Sequence, residues 1–173
     1  MGSCWALFGA ALACLLLLAA PDAGLPAATV DGPGGKTLRL DAATLTRLGR
    51  VEEVWTSKGT SRRVSGVPLQ KILAEVGVEP GEMGPSLPAP KKVRGLRQAV
   101  VVTAVDGFQA VFSVGELWPG LGPTRVLVVD RVDGKPLEAT EGPLRLAVLT
   151  DEGPSRSARQ VKRIQVVNLA DDR

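Results

Sequence analysis

The stretch that decides the fold runs Gln98-Ala-Val-Val-Val-Thr-Ala-Val-Asp-Gly-Phe-Gln-Ala-Val-Phe-Ser113. A valine-rich run of this length is typical of a β-strand, and Asp106-Gly107 is a strong signal for a tight hairpin turn. Phe108, Ala110 and Phe112 then recur at every second position, as on the buried face of a returning strand. The sequence therefore predicts a β-hairpin in the middle of the domain.

Three more strands are predicted downstream of this hairpin. Arg125–Val129 is an apolar run typical of a buried strand, and Asp133-Gly134 then turns the chain. Apolar residues alternate through Leu144–Val148, and a last strand passes through Ile164 and Val166. The second half of the chain is therefore predicted to be mostly β.

Two short amphipathic helices are predicted in the first half. Asp41 has the position of an N-cap for a helix that passes through Leu45 and ends at Gly49. A second helix begins at Pro68, a residue that suits a first helical turn. Its apolar residues fall at i, i+3, i+4 and i+7, at Leu69, Ile72, Leu73 and Val76. Strands are predicted at Lys36–Leu40 and Val51–Thr56.

These elements predict an α+β fold class, with a β-rich mixed-sheet core and a few short helices. Residues 79–92 contain four prolines and two glycines, which indicates an exposed loop within the domain. One compact domain is expected from about Lys36 to Val167. The side chains that we expect to be largely buried are Leu69, Ile72, Leu73, Val76, Phe108, Phe112, Val126, Val128, Leu144, Leu146, Ile164 and Val166.

An uninterrupted apolar stretch occupies residues 5–20, followed by small residues and prolines. It is shorter than the roughly 20 residues that a membrane-spanning helix needs, and its pattern is that of a secretory signal. We therefore predict a signal peptide over residues 1–28, a domain over residues 29–173, and a periplasmic or secreted protein. No stable membrane insertion is expected after cleavage; an uncleaved anchor is the alternative.

Few residue types are available for chemistry. The chain has no histidine and no tyrosine, and its two cysteines, Cys4 and Cys14, lie in the apolar stretch. The domain therefore lacks the usual general base, a thiolate nucleophile and soft metal ligands. The formal net charge is only +3 and aromatic residues make up 3% of the chain, so we expect no nucleic acid partner.

Basic residues next to serine and glycine occur in two segments, which we interpret as loops. Guanidinium and backbone N–H groups in such loops can bind a phosphate-like anion; a solvated polar loop is the alternative for each. We expect the two loops to lie side by side and form a shallow anion site. The candidate binding residues are Lys58, Arg62, Arg63, Ser155, Arg156, Ser157, Arg159 and Lys162. Arg145 is expected to point away from the core into solvent, or alternatively into a pocket.

Five short motifs follow one another in an order that resembles the oxidoreductase molybdopterin-binding domain of the sulfite oxidase type. They are Gly66-Val-Pro-Leu69, Asp106-Gly-Phe-Gln-Ala-Val-Phe-Ser113, Asp133-Gly-Lys-Pro-Leu137, Gly142-Pro-Leu-Arg-Leu-Ala-Val148 and Arg159-Gln-Val-Lys-Arg-Ile164. The resemblance implies that family's molybdopterin-binding fold and a molybdopterin cofactor held by its phosphate and pterin edges. It also implies that the late basic segment helps to hold the cofactor.

The sequence departs from this family at the metal. In catalytic members a cysteine ligates molybdenum just upstream of the Gly-Val-Pro-Leu motif, where this chain has Trp55, Thr56 and Ser57. None of these side chains replaces a soft sulfur ligand. We therefore predict a non-catalytic exported module that binds an anionic small molecule or a protein partner. The alternative is a molybdopterin-dependent oxidoreductase or a subunit of one, so whether the protein is an enzyme stays open here.

Overall fold

The computed structural model describes residues 28–78 and 95–169. The apolar N-terminal stretch and the proline-rich loop predicted over residues 79–92 lie outside the described residues. The strands are β1 (Ala28–Asp31), β2 (Thr37–Leu40), β3 (Val51–Ser57), β4 (Thr60–Pro68), β5 (Gln98–Ala104), β6 (Gln109–Ser113), β7 (Val126–Val132), β8 (Lys135–Pro136), β9 (Arg145–Val148) and β10 (Val161–Asn168). The α-helices are α1 (Ala42–Leu48) and α2 (Leu69–Glu75), and short 3-10 turns cover Pro33–Gly35, Gly95–Arg97 and Gly115–Leu117.

The strands form two five-stranded sheets, which together with the two short helices make the domain α+β. The first sheet has the order β2-β1-β10-β5-β6. In the second sheet the order is β3-β4-β7-β8, and β9 also pairs with β7. The first sheet is mixed, because β1 runs parallel to β10. All other neighbouring strands in both sheets are antiparallel.

Both helices form as their sequences predict. The Asp41 carboxylate accepts a hydrogen bond of 2.8 Å from the backbone N–H of Thr44, and α1 ends before Gly49, whose φ is 76°. Glycine tolerates this left-handed conformation without steric cost. The apolar face of α2 is fully buried, so the i, i+3, i+4 spacing identifies its packing side correctly.

The predicted central hairpin is formed by β5 and β6. Val102 pairs with Ala110 and Val100 pairs with Phe112, all four of them buried. The expectation that Phe108 is buried is wrong, because Phe108 is 42% exposed. It precedes the first residue of β6 and lies at the turn, beyond the part of the hairpin that faces the core.

The main core is built from residues of both sheets and both helices. Of the twelve side chains expected there, ten are buried and Val166 is half-buried against the core. A smaller cluster lies on the opposite face of the second sheet and contains Trp55, Val64, Leu127, Val129 and Ala147. Trp55 of this smaller cluster also lines the cavity of the candidate functional site.

The strand β4 was not predicted. We expected Arg62 and Arg63 to lie in a loop, but the turn between β3 and β4 needs only Lys58 and Gly59, with φ values of 50° and 74°. Positive φ at both turn residues is the signature of a tight type I′ hairpin. Both arginines therefore lie on a strand. The polar sequence around them does not indicate a strand, but pairing with β3 stabilises one.

No helix within residues 28–78 and 95–169 has the length and apolar character needed to cross a membrane.

Candidate functional site

A cavity of about 240 Å³ opens beside the β3–β4 hairpin. Its walls come from this hairpin, from the segment that leads into β9 and from the loop before β10. The lining residues are Trp55, Ser57, Lys58, Thr60, Arg62, Glu141, Arg145, Pro154 and Arg159.

The hairpin register decides which basic residues face the cavity. Trp55 and Arg62 lie directly opposite each other on β3 and β4, so their side chains share one face of the sheet. Arg63 is paired with Val54 on the opposite face, where Val54 is 65% exposed. Lys58 occupies the turn itself. The hairpin thus delivers Lys58 and Arg62 to the cavity and leaves Arg63 outside it.

Arg145 occupies the inner end of the cavity. It lies on β9 opposite Val129, on the face of the smaller apolar cluster, and its side chain is only 4% exposed. Its Nη1 donates a hydrogen bond of 2.7 Å to Glu141 Oε2, and its guanidinium carbon lies 4.4 Å from the centre of the Trp55 ring. The expectation that Arg145 faces solvent is therefore wrong, and the alternative, a side chain in a pocket, is correct.

The segment before β10 brings Arg159 to the same place. Leu146 N–H donates to Ala158 O at 2.7 Å, and Val161 N–H donates to Leu144 O at 2.8 Å. These two bonds fasten the segment alongside β9 and set Arg159 next to Arg145. Arg159 Nε lies 3.8 Å from Glu141 Oε1, while its side chain stays 64% exposed.

Burial lowers the pKa of Arg145 below the ordinary arginine value, because the charged guanidinium has lost most of its hydration. Glu141 opposes this shift through its negative charge and its hydrogen bond. The positive charges of Arg159 and Arg62 lower the pKa further. Two neighbouring guanidinium groups therefore act on Arg145, and the carboxylate of Glu141 opposes their effect.

Two buried donors at this site have no hydrogen-bond partner among the described residues, namely Trp55 Nε1 and Arg145 Nε. Leaving a buried donor unpaired costs about 1–3 kcal/mol, so such groups call for an explanation. Both are donors and neither is an acceptor. Two residues that line the cavity, Trp55 and Arg145, therefore each keep one buried donor without an acceptor.

The charges that line the cavity are unbalanced. Four cationic side chains face a single carboxylate, Glu141. The side chains of Lys58 and Arg62 make no hydrogen bond or ion pair with any residue in the described ranges. The hydroxyl groups of Ser57 and Thr60 add further donors. The cavity is thus rich in donors and positive charge and suits an anion.

The other predicted binding residues lie elsewhere. Arg156 forms a two-pronged ion pair with Asp151 at 2.7 and 2.9 Å, contacts Glu116 at 3.3 Å and lies over the Phe112 ring. Its hydrogen bond with Asp151 is the main reason that its pKa is raised. Arg156 is therefore a structural residue whose charge is already neutralised.

Three more predicted residues do not line the cavity. Ser157 is buried, and its Oγ accepts a hydrogen bond of 3.2 Å from the backbone N–H of Val148. Ser155 and Lys162 are exposed at other positions of the same segment. Of the eight predicted residues, the structure brings together Lys58, Arg62 and Arg159.

Sequence reasoning missed Glu141 as a site residue and placed Arg145 in the wrong environment. One signal was available: an arginine stands inside a run of apolar residues, and a glutamate precedes it by four positions. A charged residue in such a strand needs a partner if it is buried, and Glu141 is the nearest candidate in sequence.

The residues present do not fit a molybdenum centre. The chain has no cysteine beyond Cys14, and no group of three His, Cys, Asp or Glu side chains that could hold a metal ion occurs in residues 28–78 and 95–169. Thr56, one of the residues at the expected cysteine position, is on the face opposite the cavity and its hydroxyl contacts Ser61 Oγ at 2.8 Å. Ser57 does line the cavity, but a hydroxyl is a poor substitute for a thiolate.

No protein-family model matches the sequence, and no curated protein matches it at a significant level.

Proposed function

We propose that this domain is a binding module that holds the anionic group of a ligand in the cavity between the β3–β4 hairpin and Arg145. The observation that carries the proposal is the state of Arg145. It is a buried guanidinium with one carboxylate partner, an unpartnered Nε and two further arginines facing it. An anion in the cavity would offset that repulsion.

Shelter decides whether such contacts matter. A fully solvated contact between an arginine and an anion contributes about 0–1 kcal/mol. Charge-assisted hydrogen bonds in a protected pocket contribute about 1.5–3 kcal/mol each. Arg145 and Trp55 close the inner end of the cavity. Fewer water molecules therefore compete with a bound anion for the donors that line it.

The same geometry favours binding over catalysis. Among the described residues, Glu141 is the only carboxylate that lines the cavity, and it is engaged by Arg145 and lies close to Arg159. The remaining polar lining residues are cations and hydroxyls, which can donate hydrogen bonds to an anion, and none of them is a carboxylate or imidazole that could act as a general base. We include export in the proposal, because the apolar stretch at residues 5–20 has the pattern of a secretory signal.

Calorimetric titration of the full chain with inorganic phosphate tests the proposal. The double variant Arg62→Ala/Arg159→Ala should lose most of the affinity, since both removed cations line the cavity. The matched control is Arg63→Ala/Lys162→Ala, which removes the same charge from the same two segments but outside the cavity. Equal affinity of the two double variants, or no binding by the unaltered chain, overturns the proposal.

A further inference from the structure

We infer that the group held in the cavity carries two negative charges on one centre, as the phosphoryl group of a phosphate monoester does. This inference rests on the proposed function and specifies its ligand. Its basis is the balance of charge, the size of the cavity and the arrangement of the donors.

The charge balance favours a dianion over a monoanion. Lys58, Arg62, Arg145 and Arg159 contribute four positive charges to the lining, and Glu141 contributes one negative charge. A singly charged ligand leaves two positive charges uncompensated around a partly closed volume. A doubly charged ligand leaves one, and that one is on residues whose side chains reach solvent, such as Arg159.

The small size of the cavity favours a ligand that carries both charges on the same group. Pockets that enclose drug-sized ligands have volumes of about 300–1,000 Å³, whereas this one has about 240 Å³. Arg62 and Arg159 both act on Arg145, so the cations converge on one volume. A dicarboxylate separates its charges along the molecule, while a phosphate monoester presents them together and leaves its organic part outside.

The donors approach from more than one direction. Lys58 and Arg62 extend from the hairpin, Arg159 comes from the segment before β10, and the hydroxyls of Ser57 and Thr60 lie on the hairpin side. A phosphoryl group has three acceptor oxygens in a tetrahedral arrangement. A carboxylate has two oxygens in one plane, which suits a single arginine fork better than a surrounding set of donors.

The composition of the protein makes the charge of the ligand measurable. The chain has no histidine, and the ionisable groups that face the cavity are Lys58, Arg62, Arg145, Arg159 and Glu141. Histidine is the side chain that ordinarily changes its charge between pH 5 and 8, and a phosphate monoester takes its second charge near pH 6. A change of affinity between pH 5.0 and 7.5 therefore reports the ionisation of the ligand.

Titration of the full chain with phenyl phosphate and phenyl sulfate, which share a shape and differ by one charge at pH 7.5, tests the inference. Phenyl phosphate should bind at least about tenfold more tightly at pH 7.5, and its affinity should fall by about fivefold to tenfold at pH 5.0, where about a tenth of it is a dianion and the rest binds as weakly as a monoanion. The affinity for phenyl sulfate should stay constant over the same range.

The outcomes separate this inference from the proposed function. Equal affinities for the two esters and a flat pH profile overturn the dianion inference while the anion-binding module stands. Binding of neither ester and no binding of inorganic phosphate overturn both. A phosphoserine peptide shares the monoester chemistry, so tighter binding of that peptide than of phenyl phosphate supports the inference and assigns its source to a phosphorylated protein.

Discussion

The guanidinium of Arg145 lies over the indole ring of Trp55, with its central carbon 4.4 Å from the ring centre. A cation against the face of a tryptophan is stabilised by about 0.5–2 kcal/mol, the larger value where water is excluded. Because Glu141 holds the other end of the guanidinium at 2.7 Å, Arg145 is fixed on two sides. The cavity therefore presents a preformed positive charge.

Replacing Glu141 by glutamine should destabilise the protein and make it more responsive to anions. The substitution removes the negative charge next to a guanidinium whose side chain is 4% exposed. Breaking a buried ion pair costs about 3–5 kcal/mol, and the amide oxygen of glutamine, which can still accept a hydrogen bond, should keep the loss at the lower end of that range. Urea denaturation should show this loss. The variant should also bind inorganic phosphate more tightly, because the carboxylate that competes for Arg145 is gone. Since ligand binding to the folded state adds stability by mass action, phosphate should restore more stability to the variant than to the unaltered protein.

Glu138→Gln is the matched control for this prediction, since Glu138 is exposed and outside the cavity. The free energy of unfolding of the Glu138→Gln variant should differ from that of the unaltered protein by less than about 0.5 kcal/mol. If the two glutamine variants were equally stable and responded equally to phosphate, the interaction between Glu141 and Arg145 would not hold the site together.

Replacing Arg156 by lysine should reduce stability without changing anion affinity. Lysine cannot reproduce the two-pronged contact with Asp151 or the placement over Phe112. The arginine is one-third exposed, so the expected loss is about 1 kcal/mol. Thermal unfolding measures the loss, and Arg39→Lys, at an arginine that is 71% exposed, provides a surface control. A fall in phosphate affinity would show that Arg156 contributes to anion binding after all.

Local signals were sufficient for several elements of the fold. The cap at Asp41, the stop at Gly49 and the hairpin turn at Asp106-Gly107 each depend on residues within a few positions of one another, and all three occur where the sequence places them. The capping interaction between Ser113 and Glu116, with bonds of 2.8 and 3.1 Å, belongs to the same class. Such features need no knowledge of distant pairing.

The site depended on long-range register, which the sequence does not reveal. Arg62 and Arg63 are adjacent and identical in type, and only the pairing of β3 with β4 puts one into the cavity and the other on the opposite face. Arg145 alternates with leucines as a solvent-facing residue would, yet β9 pairs with β7 and its outer face is covered by Trp55. The sequence identified the basic segments but not which of their members converge.

The helix cap at Asp41 predicts how stability depends on acid. The hydrogen bond from the backbone of Thr44 is the main reason that the pKa of Asp41 is lowered from its ordinary value of 3.8. The unfolded chain therefore binds the proton more readily than the folded protein, so the cap contributes its stability above pH 3.8 and loses it as the pH falls through the lower folded value.

Asp41→Ala should consequently cost about 1 kcal/mol near pH 7, and the difference from the unaltered protein should shrink below pH 3.8. Asp41→Asn keeps a capping oxygen without a charge and should lack that pH dependence. Urea denaturation at pH 7 and pH 3 measures both effects. A constant penalty for Asp41→Ala at both values would show that the carboxylate charge contributes nothing at this position.

Cysteines placed at positions 56 and 57 should report the cavity directly. Ser57 lines it, whereas Thr56 is on the opposite face of the hairpin. In a chain with Cys4 and Cys14 replaced by serine, the thiol of Ser57→Cys lies among Lys58, Arg62 and Arg145, and positive charges lower a thiol's pKa. A pKa one unit lower gives about tenfold more thiolate at neutral pH, partly offset by weaker nucleophilicity, so alkylation should be about threefold faster.

The rates are measured with iodoacetamide, which is neutral and so is not itself drawn to the cations. Inorganic phosphate should slow the alkylation of Ser57→Cys, because the anion occupies the cavity and compensates the charges that favour the thiolate. Thr56→Cys is the control one residue away, and its rate should not respond to phosphate. Protection of both thiols, or of neither, would mean that phosphate does not occupy the volume between the hairpin and Arg145.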